Sequence, residues 1–550
     1  MARLSVKRAL IAAASVAALT MVAACSGGGS DGSSSSPPPP PPPPAGGGDP
    51  TWTSGSFQSA STFKDQCAAP RSGSDSEGNA FPDQQGTLVE ENFWLRSWTN
   101  ETYLWNTEVT DQDPAGFSDR IAYFDTLRTT ATTASGEDKD DFHFNQPTVD
   151  FLEQRNSAPQ SGYGVSYVSF SNTVPRDFRI RYTEPNAPAS ATVLGEVNFI
   201  RGAKILQVDN IDLVNATTQA DIDALNAGLF PATAGETHTF TVQDVGSTTT
   251  RVVTLTSEDL AIQPVNRMST INTPTGSVGY ILFNTFSPRS SEKAIADAMT
   301  AMSNAGVNDL VLDMRYNGGG LLAVASQLGY MVAGDARTNG KTFEQLQFNA
   351  AAGNTNPVTG DNNGPIPFYD TGLGFSLTNG APLTSLNLPR VFILSTERTC
   401  SASEAVINGL RGIDVEIVLI GGITCGKPYG FYPQDNCGET FYTIQFRGVN
   451  EKNFGDYSDG FVPNNSTFAF GEKVSGCAVA DDYDNELGDT NEALLAAALD
   501  YRATGNCPAA SPKTAPVALT RAVDTGEVAS SDLTRGERIF ENNRDMTMPY

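Results

Sequence analysis

Histidine is almost missing from this chain of 550 residues, which has only His143 and His238. A Ser-His-Asp triad therefore has few ways to be built. Basic residues are scarce too: 35 Lys and Arg stand against 62 Asp and Glu, a formal charge of -27. That balance argues against nucleic acid or an anionic membrane surface as an electrostatic partner and gives a strongly hydrated surface. No C-x-x-C occurs, so zinc and thioredoxin chemistry have no motif to rest on, and no metal or cofactor is expected. The glycine turn over 313–320 lacks the G-K-[ST] ending of a phosphate loop and the G-x-G-x-x-G spacing of a dinucleotide fold.

What is present begins with an export signature. Arg3, Lys7 and Arg8 precede an apolar run, Ala9 to Ala24, the length of a signal-peptide core and short for a membrane span. The run stops at Val22-Ala-Ala-Cys25, which resembles the lipobox of bacterial lipoproteins and makes Cys25 the expected lipidated residue. Gly, Ser and the proline run Pro37 to Pro44 follow, a composition that builds no core and stands as a stiff tether. The resemblance implies a lipid-anchored protein on the periplasmic side of an outer membrane or at the cell surface, touching the membrane through its lipid only. Of seven cysteines, those other than Cys25 form an even set, which in an exported chain predicts disulfides.

With 39% hydrophobic residues the chain can bury several cores. The expected divisions are a signal peptide over 1–24, a tether over 25–50, a helical region over 51–157, a β-rich module over 158–262, an α/β core over 263–506 and a tail over 507–550. Trp94, Trp98 and Trp105 predict one stripe of a helix over Glu90 to Asn106, and Phe117, Ile121, Phe124 and Leu127 a second helix. His143, just beyond, reads as structural.

From Ser161 the periodicity becomes strand-like. Gly162-Tyr163-Gly164-Val165 opens a strand to Phe170; Arg201 to Asn210, a helix over Gln219 to Leu229, and strands Thr237 to Gln243 and Arg251 to Leu255 follow. This order resembles a PDZ domain, whose Gly-rich loop offers backbone N–H groups to a C-terminal carboxylate beside an open sheet edge. Ala203 stands where such domains in exported proteases usually carry Asp. Beyond Pro264 the reading is strand Val278 to Phe283, helix Ser291 to Ser303, strand Asp309 to Met314, the turn Asp313-Met-Arg-Tyr-Asn-Gly-Gly-Gly320, and a helix over Leu321 to Val332. A glycine turn between strand and helix start exposes backbone N–H groups.

The most informative stretch is Thr399 to Gly430. An apolar strand, Val391 to Ser395, precedes it, and a helical pattern starts near Ser403, so Ser401 sits at a strand-to-helix turn. There its hydroxyl is exposed and the N–H of Ala402 is placed to meet a developing oxyanion. A buried strand, Val415 to Ile420, then delivers Lys427, and two adjacent strands can bring both side chains to one end of a sheet. Serine needs a base to take its proton, and lysine is a base only when neutral. Moving a lysine from ~10.4 toward ~7 to 8 corresponds to about 4 kcal/mol of disfavoured charge, within reach of a dry pocket. If the pair meets, Cys400 and Cys425 meet as well and are the first candidates for a disulfide. The bare S-x-x-K pattern of penicillin-binding enzymes also occurs, at Ser61 to Lys64 and Ser290 to Lys293, without its S-D-N or K-T-G companions, and carries nothing.

Taken in order, D-M-R-Y-N-G-G-G, T-C-S-A-S-E and T-C-G-K-P-Y-G resemble the tail-specific, or C-terminal processing, serine peptidases over Ser161 to Tyr501, and the segment Tyr429 to Pro463 resembles a lipoprotein branch of that family. The resemblance implies an α/β fold, a ClpP/crotonase-like peptidase core with a PDZ-like domain beside it. It makes Ser401 the nucleophile, Lys427 the general base, and Ala402 with Gly319 or Gly320 the oxyanion donors. Gly162, Tyr163, Gly164 and Val165 become the substrate-binding loop, and polypeptides the substrates. Phe431 departs from the pattern, since many members place there a Gln that orients the lysine; Tyr429 and Gln434 are the possible substitutes. Two rivals stand beside a peptidase: an inactive PDZ-type periplasmic binding scaffold, and crotonase-type acyl chemistry, which export separates from coenzyme A.

Overall fold

The computed structural model describes residues 48–156 and 158–509, with the backbone of Arg544–Asp545. The apolar run Ala9 to Ala24, Cys25 and the proline tether lie outside the described residues. Among those described, no helix is long and apolar enough to cross a membrane.

Helix α1, Leu88–Thr102, starts at Thr87, whose hydroxyl accepts from the Glu90 N–H while Glu90 accepts from the Thr87 N–H. This reciprocal cap satisfies two donors that a helix end leaves open. Trp94 and Trp98 stack at 5.1 Å and pack with Phe124 and Phe441. Trp105 departs from the expected stripe: the helix stops at Tyr103, and Trp105 lies edge-on to Tyr429 with ring centroids 4.8 Å apart. The second expected helix shrinks to α2, Arg120–Phe124. Strand Phe144–Pro147 pairs with Glu439–Tyr442, and a Cys67–Cys437 disulfide spans a sequence separation of 370, so this region is fastened to the distal part of the chain.

The β-rich region that follows is one antiparallel sheet. Strands β1 (Val165–Ser171), β2 (Asp177–Thr183), β3 (Lys204–Val208), β4 (Thr237–Gln243) and β5 (Arg251–Thr256) lie in the order β5-β4-β3-β2-β1. Helix α3, Gln219–Leu229, sits on it through Leu225 and Leu229. Its ends agree with those read from the sequence.

The second sheet organises the rest. Strands β6 (Val265–Thr273), β7 (Gly276–Phe283), β8 (Asp309–Asp313), a short β9 (Gly320–Leu321), β10 (Arg390–Ser395), β11 (Glu416–Gly421) and β12 (Gly476–Ala478) follow in chain order. The sheet runs β6-β7-β8-β10-β11-β12, parallel except for β6 on the edge. Helices α4 (Ser291–Asn304), α5 (Leu322–Ala333) and α6 (Ala402–Gly412) cover one face, where Met299, Leu328 and Val406 meet Leu312, Ile393 and Leu419. Helix α7 (Ala493–Thr504) covers the other, where Leu494 and Ala498 meet Val311, Phe392 and Val418. Burial on both faces is why these strands read as unbroken apolar runs. Ser395 of β10 pairs with Gly421 of β11, so the two strands end level, and ligand crevices form at such carboxyl ends of parallel strands.

Candidate active site

Ser401 is the N-cap of α6 with φ 57° and ψ −110°, a left-handed backbone that a non-glycine residue adopts at a cost of about 1–3 kcal/mol. The conformation lifts the residue out of the helix path. Its Oγ is buried and has no hydrogen-bond partner among the described residues. The Ala402 N–H, next along the helix start, likewise meets no acceptor there.

The strain at Ser401 is held by Glu404, one turn into α6. Glu404 Oε2 accepts from the backbone N–H of Ser401 at 2.9 Å and from that of Lys427 at 2.8 Å; Oε1 accepts from Gly426 N–H at 2.9 Å and Thr424 Oγ1 at 2.6 Å. One carboxylate oxygen thus ties the backbones of both candidate residues. Burial pushes the Glu404 carboxyl up, opposed by these hydrogen bonds. The Cys400–Cys425 disulfide, with Cα atoms 5.1 Å apart, closes the same two segments beside this carboxylate, with Cys425 Sγ 3.4 Å from Glu404 Oε2. Glu404 has no role in the sequence reading, although S-x-x-E at a helix start is a capping-box signal. What the pattern does not carry is the second use of the carboxylate, toward residues 424–427.

Asn317 fixes the glycine turn against this helix start. Its carbonyl accepts from the Cys400 N–H at 3.0 Å and from Ser403 Oγ at 2.9 Å, its Nδ2 donates to the Phe283 carbonyl at 2.9 Å, and its Oδ1 accepts from the Gly319 N–H at 3.0 Å. The Gly319 amide is therefore already engaged. Gly320, at φ 130°, could not carry a side chain, since a Cβ there would lie 2.2 Å from the Ser287 nitrogen.

Lys427 is fully buried, and its Nζ lies 4.6 Å from the ring centroids of both Phe142 and Phe431. Phe142 comes from the N-terminal helical region. Neither substitute considered from sequence brackets the lysine in this way: Tyr429 packs on Trp105, and Gln434 donates to the neighbouring Pro433 carbonyl. His143 is stacked on Phe124 and bonded to its carbonyl, with burial holding its imidazole neutral, and His238 pairs with Asp209 in the β-rich region. Both histidines are thereby occupied elsewhere.

Gly162, Tyr163, Gly164 and Val165 line a cavity of about 320 Å³ that also reaches Asn284 and Tyr316, so the β-rich region and the second sheet share it. Glu184 borders the same space, its N–H donating to the Gly164 carbonyl at 2.8 Å; burial pushes its carboxyl up to about 7 against the pull of Asn266 and Arg267. A charged hub joins the two regions. Arg315, wholly buried, pairs with Asp313, Glu492 and Asp481; Arg201 of the β-rich region reaches the same Asp481 at 2.8 Å, and the Tyr316 hydroxyl donates to it. Burial alone would raise the Asp481 carboxyl, but the two guanidiniums hold it at about 2. No local pattern in the sequence signals this hub.

Residues 277–431, which include the glycine turn, Ser401 and Lys427, match the model of Peptidase family S41. Among solved structures, one described as an S41 protease from Bacteroides fragilis NCTC 9343 is 23% identical, with a TM-score of 0.55, over 75% of this chain and 97% of that one. The photosystem II D1 C-terminal processing protease is 18% identical, with a TM-score of 0.38, over 71% and 94%. No curated protein sequence matches. The first of these likenesses shows a shared mixed α/β fold, and the family match shows that this chain carries a serine-peptidase domain of family S41 over residues 277–431.

Proposed function

We propose that the chain is an exported endopeptidase that cuts polypeptides near their C-termini, with Ser401 as nucleophile and Lys427 as general base. The observation that carries this reading is the shared Glu404 oxygen, which keeps the Ser401 and Lys427 backbones together while leaving Ser401 Oγ without a partner among the described residues. Neutral Lys427 Nζ takes the Ser401 proton as Oγ attacks the scissile carbonyl, and the oxyanion is met by the Ala402 N–H at the positive end of α6. Gly320 is the second donor in this reading, because the Gly319 amide is bonded to Asn317, and substrate reaches it by displacing the strand paired with Gly320. The resulting ammonium returns its proton to the leaving amine, and water then releases the acyl group by the same route reversed.

In this reading the sheet β6 to β12 with its helices is the ClpP/crotonase-like core. The β-rich region is a PDZ-like domain whose Gly162 to Val165 loop receives a C-terminal carboxylate, and Cys25 carries the lipid that holds the protein at a periplasmic or cell-surface membrane face. The shared cavity supports a peptide passing from that loop toward Tyr316. A fluorophosphonate probe tests the core of the proposal: it should label the wild-type chain and fail to label Ser401→Ala. Absence of labelling in the wild type would leave the binding-scaffold alternative in its place.

A further inference from the structure

Strand β9 has two edges, and both are taken. On one, Phe286 bridges Gly320, with the Phe286 N–H donating to the Gly319 carbonyl at 2.8 Å and the Leu321 N–H donating to the Phe286 carbonyl at 3.2 Å. On the other lies β13, Arg544–Asp545, parallel to β9 in the register Gly320 to Arg544 and Leu321 to Asp545. Cα atoms of Tyr429–Gly430, just past Lys427, lie within 8 Å of this same segment. The segment therefore lies between β9, at the end of the glycine turn, and Tyr429–Gly430, just past Lys427.

An unpaired strand edge is a template for an extended peptide: main-chain hydrogen bonds supply affinity whatever the sequence. The edge of β9 next to Ser401 is such a template, and in this chain its occupant is the chain itself. We propose that Arg544–Asp545 docks as an added strand on β9 and acts as a tethered competitor of substrate. This rests on the peptidase reading for its consequence, but the docking stands on the pairing alone. Because the occupant is covalently attached, its effective concentration is fixed by the linking chain and does not fall on dilution. A segment docked nine-tenths of the time would lower apparent substrate affinity about tenfold.

The test uses the whole chain with Arg544→Pro and Asp545→Pro together, since proline removes the N–H that a paired strand needs. Neither residue belongs to the catalytic machinery. Hydrogen exchange of residues 316–322 should be slow in the wild type and faster in the variant, and labelling of Ser401 by a fluorophosphonate should speed up by about tenfold. Equal exchange in both chains would overturn the docking. Faster exchange with an unchanged labelling rate would overturn the competition. A chain that never labels but shows the exchange difference would count against the peptidase reading and leave the docking intact.

Discussion

The Lys427 Nζ lies 4.6 Å from the centroid of the Phe431 ring, at the position where an orienting glutamine is expected from the family resemblance. Phe142 sits at the same distance. Two aromatic rings thus limit where Nζ can go and keep water away from it. Phe431→Ala should cost about 3–5 kcal/mol of stability by opening a cavity. Phe431→Leu keeps most of the volume, and its peptidase kcat should still fall, because the ring and not mere bulk fixes Nζ. Urea denaturation and steady-state kinetics on the two variants separate packing from positioning; full activity in Phe431→Leu would show that bulk alone suffices.

Lys427→Ala should give a folded protein with kcat lowered by about 10²–10⁴, the range expected for loss of a general base. Lys427→Arg should be no better, since a guanidinium keeps its proton. Circular dichroism establishes folding, and cleavage of an unfolded reporter polypeptide reads activity. Activity near wild type in either variant removes Lys427 from its role.

Opening the Cys400–Cys425 disulfide should lower activity before the chain unfolds. Its sequence separation of 25 corresponds to about 3 kcal/mol of loop-closure stabilisation, and it ties the segments that carry Ser401 and Lys427. Glu404 bridges the same segments, so Cys400→Ala/Cys425→Ala should remain folded at 25 °C with reduced kcat. An unchanged kcat would mean that the carboxylate alone is a sufficient brace.

Glu184 gives a pH dependence whose sign follows from its environment. Its carboxyl is raised from 4.5 to about 7, so the folded chain binds the proton more tightly than the unfolded one. The associated stability, about 3 kcal/mol at most, is present below about 4.5 and lost as pH rises through 7. Stability measured by denaturant at pH 5 and pH 8 should fall less in Glu184→Gln than in the wild type. Ionised Glu184 also faces the loop proposed to receive a carboxylate, so binding of a peptide with a free C-terminus should weaken over the same interval and become flat in Glu184→Gln. Parallel pH profiles in the two proteins would remove Glu184 from both effects.

Where a segment's own pattern decides its structure, the sequence was legible. Helix α3 spans Gln219–Leu229 as expected, and β10, α6 and β11 fall within a residue or two of their expected ends because each is buried by its own apolar residues. Trp105 fits a helical stripe by spacing, but the Leu104 N–H is claimed by the Ile444 carbonyl at 2.8 Å, and that tertiary bond turns the chain out of α1. Strand β6 has no clear pattern because much of it is exposed and polar on the sheet edge, and β12 has none because it is three residues long. At the site, Ser401 and Lys427 were readable from residue type and order. The second use of Glu404, the aromatic bracket on Lys427 and the Arg315–Asp481–Arg201 hub join segments far apart in the chain, and no local spacing encodes such meetings.

The Cys67–Cys437 bond, with its sequence separation of 370, sets a timetable for synthesis. The N-terminal helical region emerges early and supplies Phe142, yet its partners, Lys427, Phe431 and the strand Glu439–Tyr442, arrive only after most of the chain has been made. Until then Phe142 has no lysine to cover. The proposed pairing of Ser401 with Lys427 is therefore completed only when the late segments have emerged.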